Sequence, residues 1–71
     1  MASQHSSVQG SGFQIRFQSL FREGLAFVFP CDPEGRVDLD RLSERARSNY
    51  FFARAMVGRD YATPAVSRQP A

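Results

Sequence analysis

The stretch from Val37 to Gly58, VDLDRLSERARSNYFFARAMVG, constrains the fold of this chain more than any other. Leu39, Leu42, Ala46, Tyr50, Ala53 and Val57 recur at intervals of three and four residues, the spacing of one face of an α-helix. Asp40, Arg41, Glu44, Arg45, Arg47 and Arg54 fall off that face. The pattern predicts one long helix from about Leu39 to Val57. Asp38 suits its N-cap, because a carboxylate there accepts from the unpaired N–H groups of the first turn. Val37 and Leu42 occupy the two positions of a hydrophobic staple. Gly58 suits its C-cap, since glycine takes a positive φ without steric cost. Acids near the start and Arg54 and Arg59 near the end agree with the helix dipole.

The second half of this helix is apolar most of the way round. Phe51 and Ala55 lie away from the main stripe, and Phe52 and Met56 lie on its flank. Exposed apolar surface of this kind is usually covered. The cover is expected to be either Tyr61 to Val66 folding back or another chain. Phe51, Phe52, Ala55 and Met56 are therefore the candidate protein interface, and a two-fold homodimer through them is expected, with Arg47 or Arg54 at its rim.

Length explains why that surface matters. The chain has 71 residues, so it makes one domain at most. A domain this small buries only about 60% of its unfolded surface. One cysteine and one histidine supply neither an internal disulfide nor the four ligands of a structural zinc site. Extra stability must come from packing or from association. No cofactor is expected. A net charge of +2, with acids and arginines alternating along the helix, reads as a solvated face more than as a field aimed at nucleic acid. No run is long enough to span a membrane. MASQHSSVQGSG lacks the basic and apolar regions of a secretory signal, and a thiol without an export signal fits the cytoplasm.

Upstream of the helix the period changes to two. Residues 1–12 are rich in Ser, Gln and Gly and are expected to be a disordered tail, with His5 solvated. Phe13, Ile15 and Phe17 alternate with Gln14, Arg16 and Gln18, which predicts a strand with one buried face. Leu25 to Cys31 is rich in aromatic and apolar residues and predicts a second strand, buried on both sides or covered by the helix on one. Pro30 must end the pairing or reach an edge. Ser19 to Gly24 connects the two, with Leu20 and Phe21 expected to pack. Asp32-Pro33-Glu34-Gly35 has the residue order of a type I turn, and it brings Arg36 and Val37 within reach of Phe29 to Cys31. After Gly58, Tyr61 and Val66 have side chains to bury, in a short third strand or an extended arm. Ser67 to Ala71 is expected to fray. The fold class is α+β: a small antiparallel hairpin or sheet over residues 13–66 with one long helix packed on it and room for a short C-terminal strand.

Few residues carry chemistry. Cys31 has a carboxylate beside it, where a reactive thiolate needs a cation or a helix N-terminus, and no histidine in the folded part to serve as base. Asp32, Glu34, Asp38 and Asp40 lack the ligand series of a calcium loop, and turn and cap roles explain Asp32 and Asp38 better. Gln14, Arg16 and Gln18 on one strand face are residue types that hydrogen-bond bases, as in β-ribbons that read the major groove. A sheet with one solvated face shows the same alternation. Tyr50, Phe51, Phe52 and Arg54 suit either base stacking or packing.

The segment FPCDPEGRVDLDRLSERARSNYFFARAMVGRDYATPAV resembles a group of short, uncharacterised bacterial proteins. The shared pattern falls on Phe29 to Asp32, Gly35, Val37 to Asp40, Leu42-Ser43, Asn49-Tyr50, Ala53-Arg54 and Val57 to Arg59. It implies a bacterial, cytoplasmic protein and adds nothing about mechanism. The expected function is a non-catalytic interaction or regulatory module that binds itself or another protein. The alternative is a nucleic-acid-binding accessory protein using Gln14, Arg16 and Gln18.

Overall fold

The computed structural model describes residues 12–70. The expected N-terminal tail, with His5, lies outside them except for Gly12. Along the chain come β1 (Phe13–Gln18), β2 (Ala26–Cys31), a 3-10 turn (Leu39–Arg41), a helix, α1 (Glu44–Ala55), and β3 (Ala65–Arg68). The strands form one antiparallel sheet in the order β2-β1-β3, with α1 packed on one face. This is the α+β class that the change of period predicts.

The hairpin follows from its alternation. Phe13, Ile15 and Phe17 pair with Cys31, Phe29 and Phe27, so the large side chains of both strands share one face. Val28 and Pro30 are exposed on the other, so β2 is covered on one side only, by the helix. Ser19 shapes the connection: its Oγ accepts from the N–H groups of Phe21 (3.1 Å) and Arg22 (3.0 Å), and Gly24 takes a positive φ of 80°. The core comprises Ile15, Phe17, Phe29, Cys31, Tyr50, Ala53 and Tyr61. The rings of Phe17, Phe29 and Tyr50 meet edge to face, with centroids 5.3 to 6.1 Å apart.

Asp32 holds the turn after β2. Its Oδ1 accepts from the N–H groups of Glu34 (2.9 Å) and Arg36 (2.7 Å), and its Oδ2 from Arg36 Nε (3.0 Å). Gly35 N–H closes the turn on Asp32 C=O at 2.9 Å. Arg36 bonds back to Asp32 through its own carbonyl, and neither it nor Val37 joins a strand. Gly35 must be glycine for two reasons: its φ is 89°, and a Cβ there would stand 3.1 Å from Val66 Cγ2.

The single long helix expected from Leu39 to Val57 is instead two pieces. Asp38 caps the 3-10 turn, accepting from Asp40 N–H at 3.1 Å. Leu42 is extended, with ψ of 148°. Ser43 then caps α1, its Oγ accepting from Ala46 N–H at 3.1 Å. Two good N-cap residues five positions apart each start a turn, and the second wins the α-helix. Leu39 and Leu42 still pack against the core, which is why the apolar spacing runs unbroken across the break. Arg47 Nη1 ties the pieces together, donating to Leu39 C=O at 3.3 Å.

The helix also ends early. Met56 is its C-cap, and its carbonyl receives the N–H groups of Arg59, Asp60 and Tyr61. Gly58, with φ of 93°, lies in the reversal beyond the cap. The chain then runs beside the end of β1, with Leu20 N–H on Asp60 C=O (2.8 Å) and Ala62 N–H on Gln18 C=O (2.9 Å). Register shifts by one residue at Thr63-Pro64 before β3 pairs with β1, a bulge that accommodates a residue without an N–H. Tyr61 is buried as expected, but Val66 is 39% exposed. Ser67 and Arg68 belong to β3 and do not fray. Ser67 pairs with Gln14 through backbone, and Arg68 lies opposite Phe13 with its guanidinium 5.4 Å from the ring centre; exposed polar side chains leave no burial signal for either.

Two outcomes follow. Phe17 is 1% exposed, so Phe17→Ala is expected to cost about 3–5 kcal/mol, enough to unfold much of so small a domain; urea titration followed by circular dichroism reads it. The Arg36 N–H, with the Arg36 guanidinium and the Glu34 N–H, holds the Asp32 carboxyl below its ordinary pKa. A carboxylate depressed in the folded state stabilises above its unfolded pKa and loses that contribution as pH falls through the folded one. Acid titration by NMR should show the Glu34 and Arg36 amide shifts moving together, below the ordinary Asp range, as the turn loosens.

Candidate interaction surface

The structure separates the two surfaces that the sequence singles out. Gln14, Arg16 and Gln18 lie on the sheet face opposite the helix. Arg16 is exposed and the two glutamines are half-buried. Arg16 and Gln18 have partners within the chain. Arg16 Nε and Nη2 both donate to Gln18 Oε1 at 3.3 Å, and Gln18 Nε2 donates to Leu25 C=O at 2.9 Å. The rest of this face is small or apolar: Ala26, Val28 and Pro30 on β2, Ala65 and Ser67 on β3.

The helix residues form the other surface. Phe51 is 52% and Phe52 46% exposed. Ala55 is exposed and Met56 half-buried. The segment after α1 does not fold back over Phe51. It inserts Tyr61 into the core instead, where the Tyr61 ring meets Phe27 at 5.6 Å and Phe52 at 6.2 Å. Phe51 contacts the Tyr50 ring, with centroids 5.7 Å apart, and keeps its outer side open.

A third group extends this surface. Leu20 is 51%, Phe21 76% and Leu25 42% exposed, where Leu20 and Phe21 are expected from sequence to pack. The reason is the turn at Ser19, which binds its oxygen to the backbone of Phe21 and Arg22 and so turns both side chains out of the sheet. Met56 C=O accepts from Asp60 N–H, and Asp60 C=O accepts from Leu20 N–H. The hairpin tip therefore adjoins the end of α1, and the Phe52, Met56, Leu20 and Phe21 positions fall at one end of the molecule. Sequence reasoning missed the tip. Its signal is a serine followed by exposed loop length and Gly24, a pattern that marks a turn but not which side chains leave the core.

The remaining chemistry is sparse. A groove of about 440 Å³ runs between α1 and the Gly35 turn, floored by Ile15 and Phe17. Its polar groups are Tyr50 and Arg54, and they bond each other, Arg54 Nη1 donating to Tyr50 Oη at 3.1 Å. The acids near the turn engage arginines: Arg36 with Asp32 and Glu34, Arg41 with Asp38. Among the described residues no cluster of His, Cys, Asp and Glu is placed to hold a metal ion, and no helix is long and apolar enough to cross a membrane. Cys31 is buried. Burial, and then the charge of Asp32, push its thiol pKa up. No protein-family model, curated protein or solved structure matches the chain.

A buried thiol with a raised pKa is a poor nucleophile. Alkylation of Cys31 by iodoacetamide at mildly alkaline pH is expected to run at least about tenfold slower in the folded protein than in urea; mass spectrometry over time measures it.

Proposed function

We propose that the protein is a small, non-catalytic interaction module of the cytoplasm. It works by presenting the hairpin tip and the end of α1 to another protein chain. The observation that carries this reading is the exposure of Leu20, Phe21, Leu25, Phe51 and Phe52 in a domain whose buried rings are only Phe17, Phe29, Tyr50 and Tyr61. Covering one Phe side chain is worth about 1.5–3 kcal/mol, which gives a partner reason to bind there. Phe21 stands out from a loop tip, a knob that suits a concave partner, while Phe51, Phe52, Ala55 and Met56 give a broader seat beside it. Arg22, Arg54 and Arg59 lie next to these residues in sequence and suit a polar rim. A second copy is one chain that this surface would meet, as the homodimer reading has it.

The open sheet face supports nucleic-acid binding less well. Arg16 and Gln18 engage each other, and apolar Val28 and Pro30 stand beside them. Arg16 is the one cation among the named residues of that face, and phosphate binding that displaces counterions needs several.

Photo-crosslinking in the native cell tests the reading. A photoreactive residue at Phe21 or Phe51 is expected to give protein adducts, and one at Arg16 none. Those adducts should fall away when Phe52→Ser is added. Adducts at Arg16 to nucleic acid, together with DNA or RNA binding that weakens steeply with salt in vitro, would replace this reading with the other.

A further inference from the structure

The sheet has two outer edges, and they are built differently. Hydrogen-bond phase shows which backbone groups face out. Ser19 N–H donates to Leu25 C=O at 2.9 Å, one pair beyond the β1–β2 ladder and in its register. Bonded and unbonded pairs alternate in an antiparallel ladder. The bonded pairs are therefore Phe17 with Phe27 and Ile15 with Phe29, and Ala26, Val28 and Pro30 direct their backbone groups to the free edge of β2. On the other side Gln69 N–H donates to Gly12 C=O at 2.8 Å, so Val66 and Arg68 face outward from β3.

The β3 edge carries the usual protection against pairing. Pro64 and Pro70 flank it, Arg68 charges it, and it is four residues long. The β2 edge carries little. Its sequence, AFVFPC, holds no charge, Val28 and Leu25 are each 42% exposed, and the one blunting residue is Pro30 near its end.

The geometry points to the β2 edge as a self-pairing surface: a second copy of this chain adds its own β2 antiparallel, across a two-fold axis at Phe27. This rests on the interaction reading only in taking the protein to work by binding other chains. In that register Ala26 exchanges both backbone bonds with Val28 of the second copy, and symmetry repeats the exchange. Moving the axis to Val28 would set the Pro30 ring against the Ala26 carbonyl and leave that carbonyl unpaired. Pro30 thus selects the register.

The side chains agree with it. The two Phe27 rings meet on the helix side at an unbonded pair, where side chains lie closest. Leu25 comes opposite Phe29 of the second copy, and Val28 opposite Ala26. Phe52 reaches the same edge through its ring contact with Tyr61 and that of Tyr61 with Phe27. No like charges are brought together on the paired strands. The result is a continuous sheet with β2 at its centre and the protected β3 edges at its ends.

Sedimentation and amide exchange, each at tens of micromolar and at millimolar protein, test this. The expected result is a doubled apparent mass at the higher concentration, with exchange at Ala26 and Val28 slowed about tenfold or more. Phe27 and Phe29, bonded to β1, should be slow at both concentrations. Val28→Pro removes an outward N–H and leaves every β1–β2 bond in place, so a folded monomer is expected. Val28→Lys keeps the N–H, adds a charge to each copy, and should weaken the dimer about tenfold or more; it decides the matter where Val28→Pro does not fold. Val66→Pro, at the other edge, should leave the dimer unchanged. A wild type that stays monomeric at millimolar concentration overturns the proposal, as does a dimer in which Ala26 and Val28 exchange fast. A dimer that survives both Val28 variants but dissociates on Phe51→Ser overturns the edge pairing and leaves the apolar-end reading standing.

Discussion

Everything else in this small fold depends on the meeting of three rings. Phe17 from the central strand, Phe29 from its neighbour and Tyr50 from the helix touch edge to face, which sets the electropositive edge of one ring against the face of the next. The contact joins the two layers at the centre of the sheet. It holds only if the helix comes close, and Ala53, fully buried on the same helix face, permits that approach. Larger side chains at Ala53 would lift the helix and separate the rings. The sheet on one side and the helix on the other are each too small to bury an apolar face alone.

Much of this arrangement was legible in the sequence because it rests on period. Alternation in Phe13 to Gln18 places Phe13, Ile15 and Phe17 on one face, and three- and four-residue spacing places Tyr50 and Ala53 on another. What period could not show was the helix break. A 3-10 turn followed by two extended residues, Leu42 and Ser43, keeps Leu39 and Leu42 on the core side, so the spacing reads the same with or without it. The decisive detail is local, a serine oxygen taking the Ala46 N–H. The strand at Ala65–Arg68 was only half visible for a related reason: backbone pairing with β1 sustains it, and all its side chains are exposed. Of the candidate surfaces, Phe51 and Phe52 stood out because they interrupt a polar face. Leu20 and Phe21 did not, because an apolar pair in a short connection looks the same whether it points in or out.

The residues that shape the turns, caps and core are distinct from those of the proposed contact surface. Asp32 and Gly35 shape the turn, Asp38 and Ser43 cap the two helical pieces, and Tyr50 and Ala53 fill the core. Leu20, Phe21 and Phe51, which carry the proposed contact surface, are not among them. Fold and contact surface are thus assigned to separate sets of residues. A substitution at Phe21 alters what the protein presents and leaves the core intact, whereas one at Asp38 or Ser43 alters where the helix begins.

The order of strands in the sheet has a consequence for how the chain acquires its shape. β1 is the first strand of the described residues and sits in the middle, yet one of its neighbours is β3, the last element of the described residues. The hairpin and the ring contacts with α1 are available as soon as the helix has been synthesised. The second side of β1 cannot close until Arg68 has emerged to lie opposite Phe13. Closing that long loop is an entropic cost met late. During elongation on the ribosome β1 therefore keeps a row of backbone donors and acceptors unpaired, and the nascent domain is open to mispairing until β3 is free to pair.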